Sequence, residues 1–198
     1  MRRFLLFALV LSALVLSACG ATTSNTIPTT GSPLTTEDRM LFDDGADYVG
    51  DPAVLEGRWR DDWSRELDER VTNADVVAVV RVDTLRTDTD LERYTTFRVV
   101  VTEVDAIVGD LPDDLVLAST EGDGGYSTID GNESRILNRE HVLFLRWEQS
   151  TPDAPVRARW HLSPHEAPVV DRVEYLAERR RGVARDTGNT SVYVHEQD

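Results

Sequence analysis

Apolar positions along this chain change period twice, and the changes mark out its elements. Leu55, Trp59, Trp63, Leu67 and Val71 recur every four residues, with Arg58, Arg60, Asp61, Asp62, Arg65, Asp68 and Glu69 on the other faces. Asp51-Pro52 supplies an N-cap and a first-turn proline, so the spacing predicts an amphipathic helix of about twenty residues ending near Thr72-Asn73. The period then drops to two. Val76, Ala78, Val80 and Val82 alternate with Val77, Val79 and Arg81, giving a strand that starts apolar on both faces. Phe97, Val99 and Val101 mark a second strand, Leu115 to Leu117 a short third, and Leu143, Leu145 and Trp147 a fourth. Val156, Ala158, Trp160 and Leu162 alternate with Arg157, Arg159 and His161 in a fifth. Asp88 to Asp90, Gly109 to Asp114, Gly122 to Gly131 and Ser150 to Pro155 carry turn residues between them. A last helix starts at Pro168 or Asp171, with Val173, Leu176 and Ala177 on one side. Arg179-Arg180-Arg181 in its last turn suit the helix dipole, and Gly182 supplies a C-cap. The predicted class is mainly β (α+β): five short strands closing as a small barrel, flanked by an N-terminal and a C-terminal helix.

The N-terminus has a different pattern. Arg2 and Arg3 precede an apolar run from Phe4 to Leu16, interrupted only by Ser12. That run is short for a membrane span and has the length of a signal-peptide core. It ends in Leu16-Ser17-Ala18-Cys19-Gly20, which resembles the bacterial lipobox. The resemblance implies that residues 1–18 are removed, that the Cys19 thiol takes a diacylglycerol, and that the freed amine is acylated as well. Two or three chains anchor stably where one is marginal. Gly20, rather than Asp, after the Cys implies the outer membrane if the cell has two. Residues 19–36 then read as lipidated Cys and tether, because positions 20–36 hold no charge and are mostly Thr, Ser, Pro and Gly. Residues 37–182 form the folded unit, and 183–198 a polar C-terminal tail with one short alternation from Ser191 to Val194.

Composition narrows the chemistry. The formal charge is −15, and all 21 basic residues are Arg. No lysine is available for a phosphate loop or a Schiff base, and the acidic balance argues against nucleic acid as a partner. A single Cys leaves no intramolecular disulfide. An acidic surface favours cationic partners or divalent cations, and an envelope protein is a further candidate partner.

Particular stretches resemble bacterial secreted domains of the netrin-like, tissue-inhibitor-of-metalloproteinase-like OB-fold group. They are Ala74 to Val82, the Phe97 to Val108 strand running into Gly109-Asp110-Leu111, Glu121 to Gly125, and Arg139 to Leu145. Val108 stands where that group usually has Lys, and Arg139 where it usually has Gly. The resemblance implies a five-stranded OB-like barrel over about half the chain. It carries no inhibitory residues across, because the animal inhibitors ligate metal through an N-terminal Cys amine, and here that amine sits at the lipid anchor.

Candidate sites follow from spacing and fold. OB barrels bind on the face of their second and third strands and on nearby loops, which nominates Tyr94, Arg98 and Tyr126 for ligand binding. His161 and His165 with Glu166 form a weak metal candidate, weakened because Ser163-Pro164 makes the spacing a turn rather than a helix face. Asp123 and Asp130 in the glycine-bearing loop are oxygen ligands that lack the calcium-loop order. No serine lies in a nucleophile-elbow motif and no nucleotide-binding glycine pattern follows a strand, so no catalytic residue and no cofactor is assigned. The leading expectation is a non-enzymatic, lipid-anchored envelope module for binding or scaffolding. The alternatives are a metal-dependent secreted hydrolase and a protease inhibitor acting through loops.

Overall fold

The computed structural model describes residues 26–188, with side chains through Val183. Cys19, the signal segment and the Ser191–Val194 alternation lie outside the described residues. Thr35 and Asp38 form a reciprocal capping box that starts α1 (Thr36–Leu41). A two-residue strand β1 (Gly45–Ala46) and a 3₁₀ turn at Pro52–Val54 lead into α2 (Arg58–Asn73). Then come β2 (Val76–Thr89), β3 (Thr95–Val108) and β4 (Val116–Thr120). Two single-turn helices, α3 (Tyr126–Ile129) and α4 (Glu133–Ile136), precede β5 (Glu140–Glu148), β6 (Arg157–Pro164) and α5 (Ala167–Gly188).

The six strands form one sheet in the order β1-β6-β5-β2-β3-β4. After the β2-β3-β4 meander the chain returns to lay β5 beside β2, a Greek key. Every pairing is antiparallel except β1 with β6. The β2–β3 register shifts at Val77/Ala78, Val79/Val80 and Val82/Thr84, and such irregularities bend and twist the ribbon. The sheet therefore curls around Val80, Phe97, Leu117, Ile136, Leu143 and Trp160.

It does not close. The five-stranded barrel expected from the strand pattern is a six-stranded half-barrel, because β1 occupies the edge of β6 that would otherwise meet β4. Single contacts bridge the seam instead of a ladder. Trp160 Nε1 donates to Ala118 O of β4 at 3.0 Å. Gly125 N donates to Asp43 O at 2.7 Å, and Ala46 N donates to Thr128 Oγ1 at 2.8 Å. The backbones at Gly45 and Gly125 approach so closely that a Cβ on Gly45 would lie 2.5 Å from Gly125 Cα.

A second core lies on the outer side. Val77, Val142 and Phe144 face Leu67 and Val71 of α2 and Val169, Val173 and Ala177 of α5, which explains why β2 and β5 begin apolar on both faces. The helix expected from Asp51 instead breaks before Arg58, at Gly57 with φ +55°. A four-residue spacing overshoots a helical turn by about 40° per step, so Leu67 and Val71 are buried while Trp59 has rotated out to 62 % exposure. The C-terminal helix runs on through Gly182, and its arginines do not serve its own end. Arg180 Nη1 donates to Val71 O and Ala74 O at 3.0 and 2.8 Å, and Arg146 Nη1 to Asn73 O. Both arginines thus satisfy the carbonyls left open at the end of α2. The stretch read as a tether joins the sheet early. Ser32 N donates to Trp147 O at 2.9 Å, Gln149 N donates to Ser32 O at 3.0 Å, and Leu34 is buried.

Two glycine substitutions test this arrangement by urea unfolding. Gly45→Ala is expected to cost about 1–3 kcal/mol, because two backbones must separate at the seam. Gly182→Ala, where an added Cβ meets nothing within 4 Å, is expected to stabilise by about 0.5–1 kcal/mol as an interior helical position should. A destabilising Gly182→Ala would restore Gly182 as a helix terminator.

Candidate functional site

The outer faces of β3 and β4 are uncovered. Val100 pairs directly with Val116, and both are exposed, as is Val104. Arg98 lies on this side, paired across to Arg86 and ion-paired to Asp88 at 3.2 Å. Like charges directly opposite one another are unfavourable, and Asp88 offsets only the Arg98 side. The β2–β3 hairpin ends in a turn where Asp90 Oδ1 accepts from Glu92 N and Tyr94 N, both at 2.9 Å. That turn leaves Tyr94 half exposed and Leu91 wholly exposed. Tyr126 does not join them. Its ring lies 5.1 Å from Phe97 in the inner core, and adjacent strand residues Phe97 and Arg98 point to opposite faces.

The expected metal residues are likewise separated. His165 Nδ1 meets Glu140 Oε2 at 3.0 Å, whereas His161 is buried and bound by two aspartates. Asp123 Oδ2 accepts from Thr120 N at 2.8 Å, and the same carboxylate meets Arg157 and Arg159 at 3.2 and 3.1 Å. Asp130 is exposed at the end of α3. Among the described residues no three His, Cys, Asp or Glu side chains converge to hold a metal ion.

What the structure does assemble is a charge network on the outer face of β6. Asp44, at 0 % exposure, is a non-glycine residue with φ +60°. Its carboxylate accepts from Trp160 N at 3.1 Å and Arg157 Nη2 at 3.0 Å, and it is also bound by Arg159. Burial drives the Asp44 carboxyl above the ordinary carboxylate range, and the Arg159 and Arg157 charges oppose it. Arg159 continues to Glu148 at 2.8 Å, and Glu148 to Arg39 of α1 at 2.7 Å.

Two residues along, His161 Nδ1 lies 2.8 Å from Asp43 Oδ1 and Nε2 lies 3.2 Å from Asp47 Oδ2. A carboxylate at each ring nitrogen makes both nitrogens donors, as in an imidazolium. Burial and the Arg70 charge push the His161 imidazole down, but Asp43 and Asp47 outweigh them and its pKa rises. Ser163 Oγ donates to the same Asp47 oxygen at 2.8 Å, and Arg70 Nη1 reaches it at 3.5 Å. Burial pushes the Asp47 carboxyl up, yet the His161 hydrogen bond and charge, with Arg70 and Ser163, hold it below the usual range. Serine and histidine therefore both bind the aspartate. A nucleophilic triad would need the histidine between them.

The alternation along this strand places Arg157, Arg159 and His161 on the face away from the inner core, and nothing in that pattern shows what meets them. The signal for their pairing is the acidic run Asp43-Asp44 followed by Asp47, three carboxylates in a short segment beside the apolar Leu41-Phe42. Comparison with protein-family models, with curated proteins and with solved structures returns no match for the chain.

Two expected outcomes follow from the network. Arg159→Met leaves buried acids short of a partner and is expected to cost about 3–5 kcal/mol. His161 is expected to keep imidazolium ring-nitrogen shifts in NMR at pH values above its ordinary pKa of 6.5. Its contribution to stability is complete below 6.5 and is lost as pH rises through the elevated folded value. His161→Gln should flatten that alkaline limb of a stability–pH curve. A neutral ring at pH 7 in the wild type would overturn the assignment.

Proposed function

We propose that this chain is a lipid-anchored binding module of a bacterial cell envelope, in the outer membrane where the cell has two, and that it is not an enzyme. Acyl chains on Cys19 hold it, and an OB-like half-barrel binds an envelope protein through the exposed outer side of β3 and β4. The observation that carries the binding surface is the division of the sheet's outer side. The β2–β5 half is sealed under α2 and α5, while Val100, Val104 and Val116 stand bare beside Arg98 and below the Leu91–Tyr94 tip. Exposed apolar groups gathered on one face and rimmed by charge suit protein docking. The Greek-key order, with short helices between β4 and β5, supports the OB-like reading and its likeness to the netrin-like group. Tyr94 and Arg98 remain the named contact residues. The hydrolase alternative needs His161, His165 and Glu166 together, and their separation lends it no support.

Cys19→Ala is expected to shift the protein from the membrane to the soluble fraction, with mass spectrometry of the wild type finding acyl mass on Cys19. A photo-cross-linking residue at position 98 is expected to capture an envelope protein. Val100→Asp with Val116→Asp should reduce that capture by about tenfold or more, as expected for a carboxylate forced into an apolar contact. An unlipidated wild type would remove the anchor. Equal capture from position 98 and from exposed Asp153 would remove the surface.

A further inference from the structure

A concavity of about 240 Å³ lies where α4, the start of β5 and the end of β6 meet. Its lining brings together Arg135, Arg139 and Glu166, with buried His141 and Tyr48 in the wall. Elsewhere on this protein arginines and acids within reach pair with one another. Here Glu140 is taken by His165 at 3.0 Å, but Arg135, Arg139 and Glu166 make no ion pair among the described residues.

Each charge is held on a different element. The Arg135 guanidinium stacks 3.9 Å from the Tyr48 ring centroid, and Tyr48 is pinned by its hydroxyl donating to Thr128 O at 2.6 Å. Stacking leaves the edge of the guanidinium, with its N–H groups, free. Arg139 sits at the entry to β5, where its carbonyl accepts from Val82 N at 3.0 Å. Glu166 lies just before α5, its carboxylate against Gly50 so closely that a Cβ there would stand 2.1 Å from Glu166 Cδ. Two cations and, beside the His165-bound Glu140, one unpaired anion thus line one small cavity from separate elements. The His141 ring in the wall adds no cation, since burial, with help from Arg139, holds its imidazole below its ordinary pKa.

We infer that this cavity is a binding site for a small zwitterion of the α-amino acid class, its carboxylate taken by Arg135 and Arg139 and its ammonium by Glu166. A planar fork suits a carboxylate, and a carboxylate suits an ammonium. A simple anion would leave Glu166 unanswered and a simple cation would leave both arginines so, whereas a zwitterion answers both. The volume admits a small amino acid and excludes a folded partner, so this site is separate from the protein-docking face.

The test is titration calorimetry of the mature protein with glycine and the L- and D-amino acids, and with acetate and methylammonium as half-ligands. At least one amino acid is expected to bind in the micromolar-to-millimolar range, and both half-ligands should bind at least about tenfold more weakly. Glu166→Gln and Arg139→Gln should each weaken binding by about tenfold or more. Gly50→Ala should weaken it as well, by displacing the Glu166 carboxylate without altering any charge. NMR shifts on binding should centre on the His141 and His165 rings. The inference fails if no member of the panel binds, if acetate binds as tightly as the amino acid, or if Glu166→Gln and Gly50→Ala bind like the wild type.

Discussion

Carboxylates from one short segment meeting cations from one strand organise this molecule. Asp43, Asp44 and Asp47 flank β1, and their partners Arg157, Arg159 and His161 alternate along β6. Because alternate strand residues share a face, one aspartate segment can run beside β6 and meet each cation in turn. That contact does three things at once. It lays β1 on the β6 edge, it ties α1 to β5 through Arg39–Glu148–Arg159, and it draws α2 in through Arg70, whose Nε also donates to Leu41 O at 3.1 Å. The cost of burying Asp44 is offset only because a backbone N–H and guanidinium groups surround it, so the arrangement stands or falls as a unit.

Filling the β6 edge decides the rest of the topology. With β1 in place, β4 has no ladder partner on its edge away from β3, and the sheet stays a half-barrel stitched by Trp160 and by the Gly45–Gly125 approach. The helices cannot cover everything either. Packed on Val77, Val142 and Phe144, α2 and α5 seal one half of the outer side and leave the β3–β4 half open to solvent. The bare face and the β4–β6 seam thus have one origin, a sheet that gives its last edge to an aspartate-rich strand rather than to itself.

The strand centres were legible because period-two alternation is a local property. Phe97, Val99 and Val101 turn inward as read, and so do Leu143, Leu145 and Trp160. Three things were not legible for physical reasons. β1 is two residues of Gly and Ala, too short and too small for any periodicity, and its place depends on side chains more than a hundred residues away. The α2 boundary was misplaced because identical four-residue spacings drift around a helix, and only Gly57 marks the break. The buried charges looked like solvent-facing ones because sequence shows charge without its partner, so Arg159 reads the same whether it meets water or Asp44. Of the nominated residues, strand position alone places Arg98 on the exposed side of β3 and Tyr94 at the open β2–β3 turn. Tyr126 lies apart from them because its loop folds back onto Phe97, a contact no local pattern shows.

The exclusive use of arginine follows from the same geometry. A lysine presents one compact ammonium, whereas Arg159 from one side chain offers Nη1 to Asp44 and Asp123 and Nε to Glu148. Arg70 uses Nε on a carbonyl and its terminal nitrogens on Asp47 and Glu66. Arg180 and Arg146 close the end of α2 from neighbouring elements, and Arg181 reaches Ile107 O at 3.1 Å. In a chain of formal charge −15, these cations are consumed as internal connectors, and the surplus of acids faces outward. An arginine left without a carboxylate on such a surface is therefore conspicuous. Arg58, Arg86, Arg93, Arg135, Arg139 and Arg179 make neither an ion pair nor a side-chain hydrogen bond among the described residues, and of these Arg135 and Arg139 line one cavity together. At that cavity Glu166 lines the same wall yet pairs with neither arginine, so opposite charges stand near one another without closing, which is the electrostatic condition for receiving a group from outside.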